Sequence, residues 1–340
     1  EKRCASICVR KAGTSRRIRA GIHALATRQS ITLSHYRDRK MSRWVSSIGK
    51  QKTLAAVLVI SSGMASYLDL LPAGVPRVLD MVDVDSQKWA EYATDEIALR
   101  RWLYQREARL LAAEELAISN QVSQTILISD DEAELLKSRG VQRPASIHVI
   151  ANGVDSDYFS ADSRPENPYP PAEIPLVFTG AMDYHANIEG ICWFAEAVFP
   201  DLYQANRQLR LYIVGSSPAA EVRALNDAPG INVVGRVPDV RPYLAHSRLA
   251  LAPLRIARGL QNKILEAMSM NIAVVATSAA MRGIDFRGPG VHIADTAAEF
   301  QQAVLGALDE TSVLANRRFV KQHFSWDAAL EQLEGVLTSA

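Results

Sequence analysis

From Ala252 to Thr277 the chain reads APLRIARGLQNKILEAMSMNIAVVAT. Aliphatic residues end a strand at Ala252, a loop follows, and helix-forming residues begin near Gly259. The free N–H groups of such a helix start point beyond the strand end and attract anions. Arg255, Arg258 and Lys263 crowd the same place, and guanidinium and ammonium groups set around helix amides suit a diphosphate. Glu266 comes one helical turn after Lys263. A carboxylate there can accept both hydroxyls of a ribose, as the acidic residue of dinucleotide folds does. The alternative is a Lys263–Glu266 surface pair on a helix whose Ile264, Leu265 and Met268 enter the core. Cys4 and Cys8 read as two thiols, because no further His or Cys pair completes a zinc site. His185 and His246 read as loop and helix-end residues.

The elements that must carry these groups follow an α/β pattern. From Thr53 onward short β-branched apolar runs alternate with longer amphipathic stretches, as in βα units of parallel sheets. Strands are predicted at Ala55 to Ile60, Arg77 to Val82, Thr125 to Ser129 and Ile147 to Ile150, with a long helix over about Asp95 to Ser119. Residues 156–175 hold five of the fifteen prolines and almost no aliphatic side chains, which marks a linker over 156–174. The alternation then restarts, with strands at Leu176 to Thr179, Leu211 to Val214, Ile231 to Val234, Leu249 to Ala252, Ala273 to Ala276 and near Val291. Helices are predicted over about Ile188 to Gln204, Ala219 to Asn226, Val240 to His246 and Leu260 to Met270. The reading is two Rossmann-like, doubly wound domains facing across a cleft: 1–155, incomplete at its start, and 175–325, with a terminal helix over 326–340 that packs back on the first. Ligands of such domains sit at the C-terminal ends of the strands.

Composition agrees with two domains. A chain of 340 residues exceeds the roughly 250–300 residues at which single cores stop growing. With 48% hydrophobic and 22% charged residues it reads as a globular protein, which excludes collagen, coiled coil, disordered tail and disulfide scaffold. No apolar run approaches the roughly 18 residues of a membrane span, and three cysteines point to a reducing, cytoplasmic setting. The net charge of +1 hides an asymmetry: residues 1–50 hold 13 Lys/Arg against Glu1 and Asp38, which is +11, and the remainder holds 25 against 35, which is −10. The basic segment is open to three readings, a solvated helical face, an anionic membrane surface, or nucleic acid. No RNP-like or zinc-finger pattern supports the last.

The segment NKILEAMSMNIAVVAT resembles the part of family 4 retaining GT-B glycosyltransferases written E-x7-E and followed by LEAMA-G-PVVAT, with Glu266 as the second Glu and Arg258 in place of the first. IANGVDSDYF is similar to the family's PNGVD interdomain turn. LYIVGSSP, with Gly215, is similar to its strand end before a glycine pair. INVVGRVPDVRPYLAHSRLALAPLR is similar to its V-F-G-V-D-PYLA-ADV-V-P stretch, and HFSW to its C-terminal helix start. The resemblance covers about residues 78–335. It is nearest to the sugar transferases of exosortase (PEP-CTERM) exopolysaccharide clusters, whose signatures look like DMVDVDSQKW and FTGAMDYHANIEGICWF here.

The resemblance implies a metal-independent, cofactor-free hexosyltransferase that moves a sugar from a nucleoside-diphosphate sugar to a saccharide or lipid-linked acceptor, cytoplasmic or peripheral at the inner membrane. Gly180 would let phosphate or sugar approach the backbone, while Asp183 and Asn187 bind the donor sugar or Asn187 caps a helix. Relatives place Arg and Lys in that loop; this chain has none there, so Arg255 and Lys263, helped by Arg236, take the diphosphate. Asp83 lies close to the acceptor-side His of relatives, where a carboxylate orients the acceptor hydroxyl or takes its proton; Asp85 or Ser86 otherwise caps the next helix. A 2-epimerase of the same architecture and a non-catalytic sugar-binding protein are the alternatives. Nothing before Ala55 resembles the family's opening strand, glycine loop and helix. The expectation is therefore a chain lacking about two βα units, on the order of 80 residues, with a strand at Ala5 to Val9, helices near Thr14 to Arg28 and Arg39 to Gly49, a poorly packed first domain and weak transfer.

Overall fold

The computed structural model describes residues 4–11, 13–51, 53–94, 97–163, 165–257, 259–310 and 313–340. The chain forms two compact units, Glu1–Ile150 with Glu331–Ala340, and Ala151–Leu330.

The first unit opens with three helices, α1 (Thr14–Thr27), α2 (Ile31–Tyr36) and α3 (Arg39–Gln51). The expected strand at Ala5 to Val9 is absent; Ile7 and Val9 stand exposed, and no ladder partner holds that backbone extended. Then come β1 (Val57–Ile60), a 3-10 helix (Ser62–Leu70), β2 (Arg77–Val82), α4 (Asp85–Tyr92), α5 (Ala98–Gln121), β3 (Gln124–Leu127), α6 (Asp130–Ser138) and β4 (Ile147–Val149). The four strands pair in parallel in sequence order. Because side chains alternate along a strand, Leu79, Met81 and Leu127 pack with Ile118 and Leu136 on one face. Val78 and Ile126 pack on the other with Leu333, Val336 and Leu337 of α14 (Trp326–Ser339).

Helix α5 shows little amphipathic periodicity because it buries charge. Arg106 donates to the carbonyls of Ala24 (2.9 Å) and Gln29 (3.2 Å) at the end of α1. Glu107, 2% exposed, accepts from the amides of Ile31 (2.8 Å) and Thr32 (2.9 Å) at the start of α2, and from Ser30 Oγ at 2.6 Å. Helix ends leave such groups without intrahelical partners. One helix supplies them for its neighbours, with the charge signs that helix dipoles favour.

The second unit contains β5 (Ile174–Thr179), α7 (His185–Ala197), α8 (Phe199–Ala205), β6 (Leu209–Val214), α9 (Ala220–Ala224), β7 (Ile231–Gly235), α10 (Arg241–Ala245), β8 (Leu249–Ala252), α11 (Asn262–Ser269), β9 (Ala273–Ala276), β10 (Val291–Ile293), α12 (Ala297–Ala307) and α13 (Leu314–His323). One helix was expected over Ile188 to Gln204; two form, because Pro200 lies in the first turn of α8 and its ring cannot continue a helix from before. The six parallel strands run β7-β6-β5-β8-β9-β10, which places the reversal of strand order between β5 and β8. Two interior strands, Leu-Ala-Leu-Ala in β8 and Ala-Val-Val-Ala in β9, are buried throughout, as helices on both faces require. The proline-rich stretch is seated on this unit. Tyr169, 6% exposed, donates to the Tyr243 carbonyl at 2.6 Å, and His246 Nε2 meets the Pro165 carbonyl at 2.6 Å.

In this core Phe300 is fully buried and stands edge-on to Trp193 (5.8 Å) and Phe194 (5.6 Å). Phe300→Ala is expected to cost about 3–5 kcal/mol. Urea unfolding should show a lower midpoint with an unchanged slope.

Candidate functional site

In the second unit the C-terminal ends of β5, β6 and β7 and the start of α11 enclose a cleft of about 470 Å³, with Gly180, Gly215, Ser216, Arg236, Lys263 and Glu266 in its lining. Backbone bonds interlock the strand ends: the Gly180 amide donates to Val214 (3.1 Å), Gly215 to Gly235 (2.8 Å) and Met182 to Ser216 (2.8 Å). A Cβ on Gly215 would stand 1.6 Å from the Gly180 carbonyl oxygen, so no side chain fits there. Gly180 has φ +154, and its Cβ would meet Asn187 Nδ2 at 2.8 Å and Lys263 Nζ at 3.1 Å. Both positions demand glycine, and the bare backbone forms the cleft floor.

Lys263 lies in the first turn of α11. Its ammonium donates to Asn187 Oδ1 at 2.6 Å and stands 4.1 Å from the centre of the Phe178 ring. Burial pulls its pKa down to about 7, against the opposing attraction of Glu266. Asn187 Nδ2 donates to the Ala181 carbonyl at 2.8 Å, which turns the amide oxygen toward the lysine. The cap expected of Asn187 does not form, since α7 starts at His185 and Asn187 sits buried within its first turn. Burial raises the pKa of Glu266, with Lys263 pulling the other way. Among the described residues these two make no ion pair, so the surface-pair alternative fails. The arrangement is a charge kept short of solvent beside bare backbone, and an arriving anion would restore its proton.

The remaining expected residues separate. Arg236 is exposed in the cleft lining and makes no side-chain hydrogen bond or ion pair among the described residues. Arg255 is drawn away: its guanidinium pairs with Glu189 of α7, Nε at 2.7 Å, and lies 5.4 Å from the Trp193 ring. Asp183 is exposed in the turn before α7 and outside the lining. Arg258 lies outside the described residues. The helix expected to open near Gly259 begins at Asn262, because Gly259 takes a left-handed φ of +59 in a longer loop.

In the first unit the DMVDVDS segment leaves β2 through Val82, whose φ is +69, an outlier for a β-branched residue. Asp80 Oδ1 accepts from the Val82 amide at 3.1 Å. Asp83 is half-buried. Asp85 accepts from Ser62 Oγ at 3.2 Å, and burial raises its pKa. Neither Asp85 nor Ser86 caps α4. Two buried glutamates from elsewhere do so: Glu132 accepts from the Val84 amide at 2.8 Å and Glu115 from the Ser86 amide at 3.0 Å. Glu115 also takes the Ser86 hydroxyl, and Arg139 bridges Ser86 Oγ (2.6 Å) and Glu115 (3.1 Å). Glu115, Glu132 and Arg139 were not foreseen, because their partners lie 29, 48 and 53 positions away and no local pattern marks them.

Residues 173–310 match the family described as Glycosyl transferases group 1. Among solved structures, the Anabaena protein Alr3699/HepE in complex with UDP and glucose is similar at 13% identity and a TM-score of 0.64, covering 88% of this chain and 80% of that one. Sucrose-phosphate synthase from Thermosynechococcus elongatus is similar at 16% identity and a TM-score of 0.67, covering 87% and 76%. The UDP-forming trehalose-phosphate synthase from Burkholderia xenovorans is similar at 12% identity and a TM-score of 0.63, covering 95% and 86%. The chain has the GT-B fold of glycosyltransferases. The cleft of the second unit lies within the matched residues, from Thr179 to Glu266. No curated protein matches the chain.

Burial pushes the Glu115 carboxyl up to about 7, above its ordinary value of 4.5. The folded state therefore holds a proton that the unfolded chain releases, and the resulting stability is present below pH 4.5 and lost as pH rises through about 7. Measured by urea unfolding, the stability of the parent relative to Glu115→Gln should fall across that window. A flat difference would remove Glu115 as the titrating group.

Proposed function

We propose that the chain is a retaining, metal-independent glycosyltransferase that moves a sugar from a nucleoside-diphosphate sugar to a saccharide or lipid-linked saccharide. The observation that carries this reading is the partly desolvated Lys263 ammonium, held by Asn187 over a glycine floor in a cleft within the group 1 match. As the bond between the anomeric carbon and the β-phosphate oxygen breaks, negative charge collects on that oxygen. Lys263, whose proton the bound anion restores, Arg236 and the first amides of α11 supply positive charge there. Glu266 takes hydroxyls of the ribose. Gly180 and Gly215 let the diphosphate lie against the backbone. Arg255, held by Glu189, is left out of this assignment.

Asp83 and Asp85 are assigned to the acceptor. They follow the C-terminal end of a parallel strand, where open sheets bind ligands, on a loop fixed by Glu115, Glu132 and Arg139. Asp83 is the carboxylate assigned to orient the acceptor hydroxyl or to take its proton. One similar protein, the Anabaena Alr3699/HepE, was crystallised with UDP and with UDP-glucose, which makes UDP the first nucleotide to try. The PEP-CTERM-like signatures of the sequence support exopolysaccharide synthesis as the setting, on the cytoplasmic side. No helix among the described residues is long and apolar enough to cross a membrane. A peripheral contact is supported by α1, which leaves Ile18, Ile22 and Leu25 exposed at helical spacing beside basic residues, the pattern of an interfacial helix.

Incubation with UDP-, GDP- and dTDP-sugars, with and without saccharide acceptors, tests the reading: transfer or slow donor hydrolysis is expected, and an epimerised donor or binding alone would overturn it. Lys263→Ala should weaken nucleoside diphosphate binding by about 1.5–3 kcal/mol and uridine binding little. Because the ligand-free ammonium titrates at about 7 and a bound anion raises it, calorimetry at pH 8 in buffers of different ionisation enthalpy should show proton uptake on binding that vanishes in Lys263→Ala. Asp83→Asn should keep nucleotide affinity and lose transfer; equal losses in both would remove Asp83 from the acceptor side.

A further inference from the structure

Helix α1, the α2–α3 junction and the 3-10 helix Ser62–Leu70 line a second cavity, a groove of about 450 Å³ open to solvent on the first unit. That is within the size range of small-molecule sites, roughly 300–1,000 Å³. Its lining includes three exposed arginines, Arg19, Arg37 and Arg39, and the hydroxyl-bearing Ser34 and Ser66. The acid among the lining residues, Asp38, is already engaged. Its Oδ1 accepts from the amides of Lys40 (2.9 Å) and Met41 (2.8 Å) at the start of α3, and from Arg10 Nε at 3.2 Å. Tyr67 fixes the same turn, taking the Asp38 amide at 2.8 Å and donating to the Tyr36 carbonyl at 2.7 Å.

Three arginines line one groove, Arg37 also donating to Gln29 Oε1 at 3.5 Å, and with the neighbouring carboxylate tied to backbone they form a receptor for an oxyanion of more than one charge, since each guanidinium offers paired donors matched to phosphate oxygens. We infer that this cavity is a phosphate site, taking a phosphomonoester or phosphodiester headgroup. It gives the basic segment a discrete ligand rather than a diffuse field. The inference deepens the proposed membrane contact where the headgroup belongs to a lipid, and stands without it where the phosphate is free in solution.

The test uses the 340-residue chain and three probes: glycerol 3-phosphate by calorimetry, and phosphatidylglycerol or phosphatidylcholine vesicles by sedimentation. One variant carries Arg19→Gln, Arg37→Gln and Arg39→Gln. A control carries Lys11→Gln, Arg43→Gln and Lys50→Gln, removing equal charge outside the cavity. The cavity variant is expected to lose at least about tenfold in affinity for glycerol 3-phosphate or phosphatidylglycerol, and the control less than about twofold. Binding of glycerol 3-phosphate assigns the free phosphate, and binding of vesicles alone assigns the lipid headgroup. Equal losses in the two variants would leave the diffuse membrane contact and overturn the site, as would a parent that binds neither probe. Should the cavity variant fail to fold by circular dichroism, phenylglyoxal labelling of the parent decides. Whichever probe the parent binds, glycerol 3-phosphate or phosphatidylglycerol vesicles, must slow modification of Arg19, Arg37 and Arg39 more than that of Arg43, and uniform labelling overturns the inference.

Discussion

An ammonium partly withdrawn from water is the constraint around which the second unit is arranged. Desolvation disfavours the charged form of Lys263, and what offsets it is a short hydrogen bond to Asn187 and the face of Phe178. Both partners have to be held to tight tolerance. Phe178 comes from the buried strand β5 and Asn187 from the first turn of α7, so the strand, the loop and the helix after it converge on one nitrogen. The glycines at 180 and 215 follow from the same requirement, because a side chain on either would collide with Asn187 or with the facing loop. Bare backbone and a strained protonation state thus share one cause.

The first unit solves a different problem by related means. Its helices end inside the protein, where open amides and carbonyls are costly, and polar groups from distant segments join adjacent caps such as Ser30 and Ser129 in satisfying them. Glu107 and Glu115 of α5 meet the starts of α2 and α4, and Arg106 meets the end of α1. The positive φ of Val82 persists within this frame: Asp80 holds the Val82 amide, Glu132 the Val84 amide and Glu115 the Ser86 amide.

Legibility in the sequence followed the range of the interactions. Strands such as Leu249–Ala252 and Ala273–Ala276 form where continuous apolar runs placed them, since burial on both faces needs no information beyond the run itself. Lys263, Glu266, Gly180 and Gly215 share one cleft because strand ends in a parallel sheet point the same way. Helix starts were harder. Gly259 belongs to a left-handed loop rather than to α11, and an apolar run at Ala5 to Val9 makes no strand without a neighbour. Arg255 could not be placed from composition, because its direction depends on Glu189 one helix away. The buried carboxylates of α5 were invisible for the complementary reason: periodicity treats charge as a sign of the surface, and here it fills the interior.

That single helix also sets a unit of motion. An amide bonded within its own helix opens when that helix frays, but the amides of Ile31, Thr32 and Ser86 end on carboxylates carried by α5. Such a bond opens when either partner moves, so their protection from hydrogen exchange depends on α5 as well as on the helices they begin. The N-terminal helices and the DVD loop, far apart along the chain, accordingly belong to one foldon, and loosening either end of α5 communicates to both.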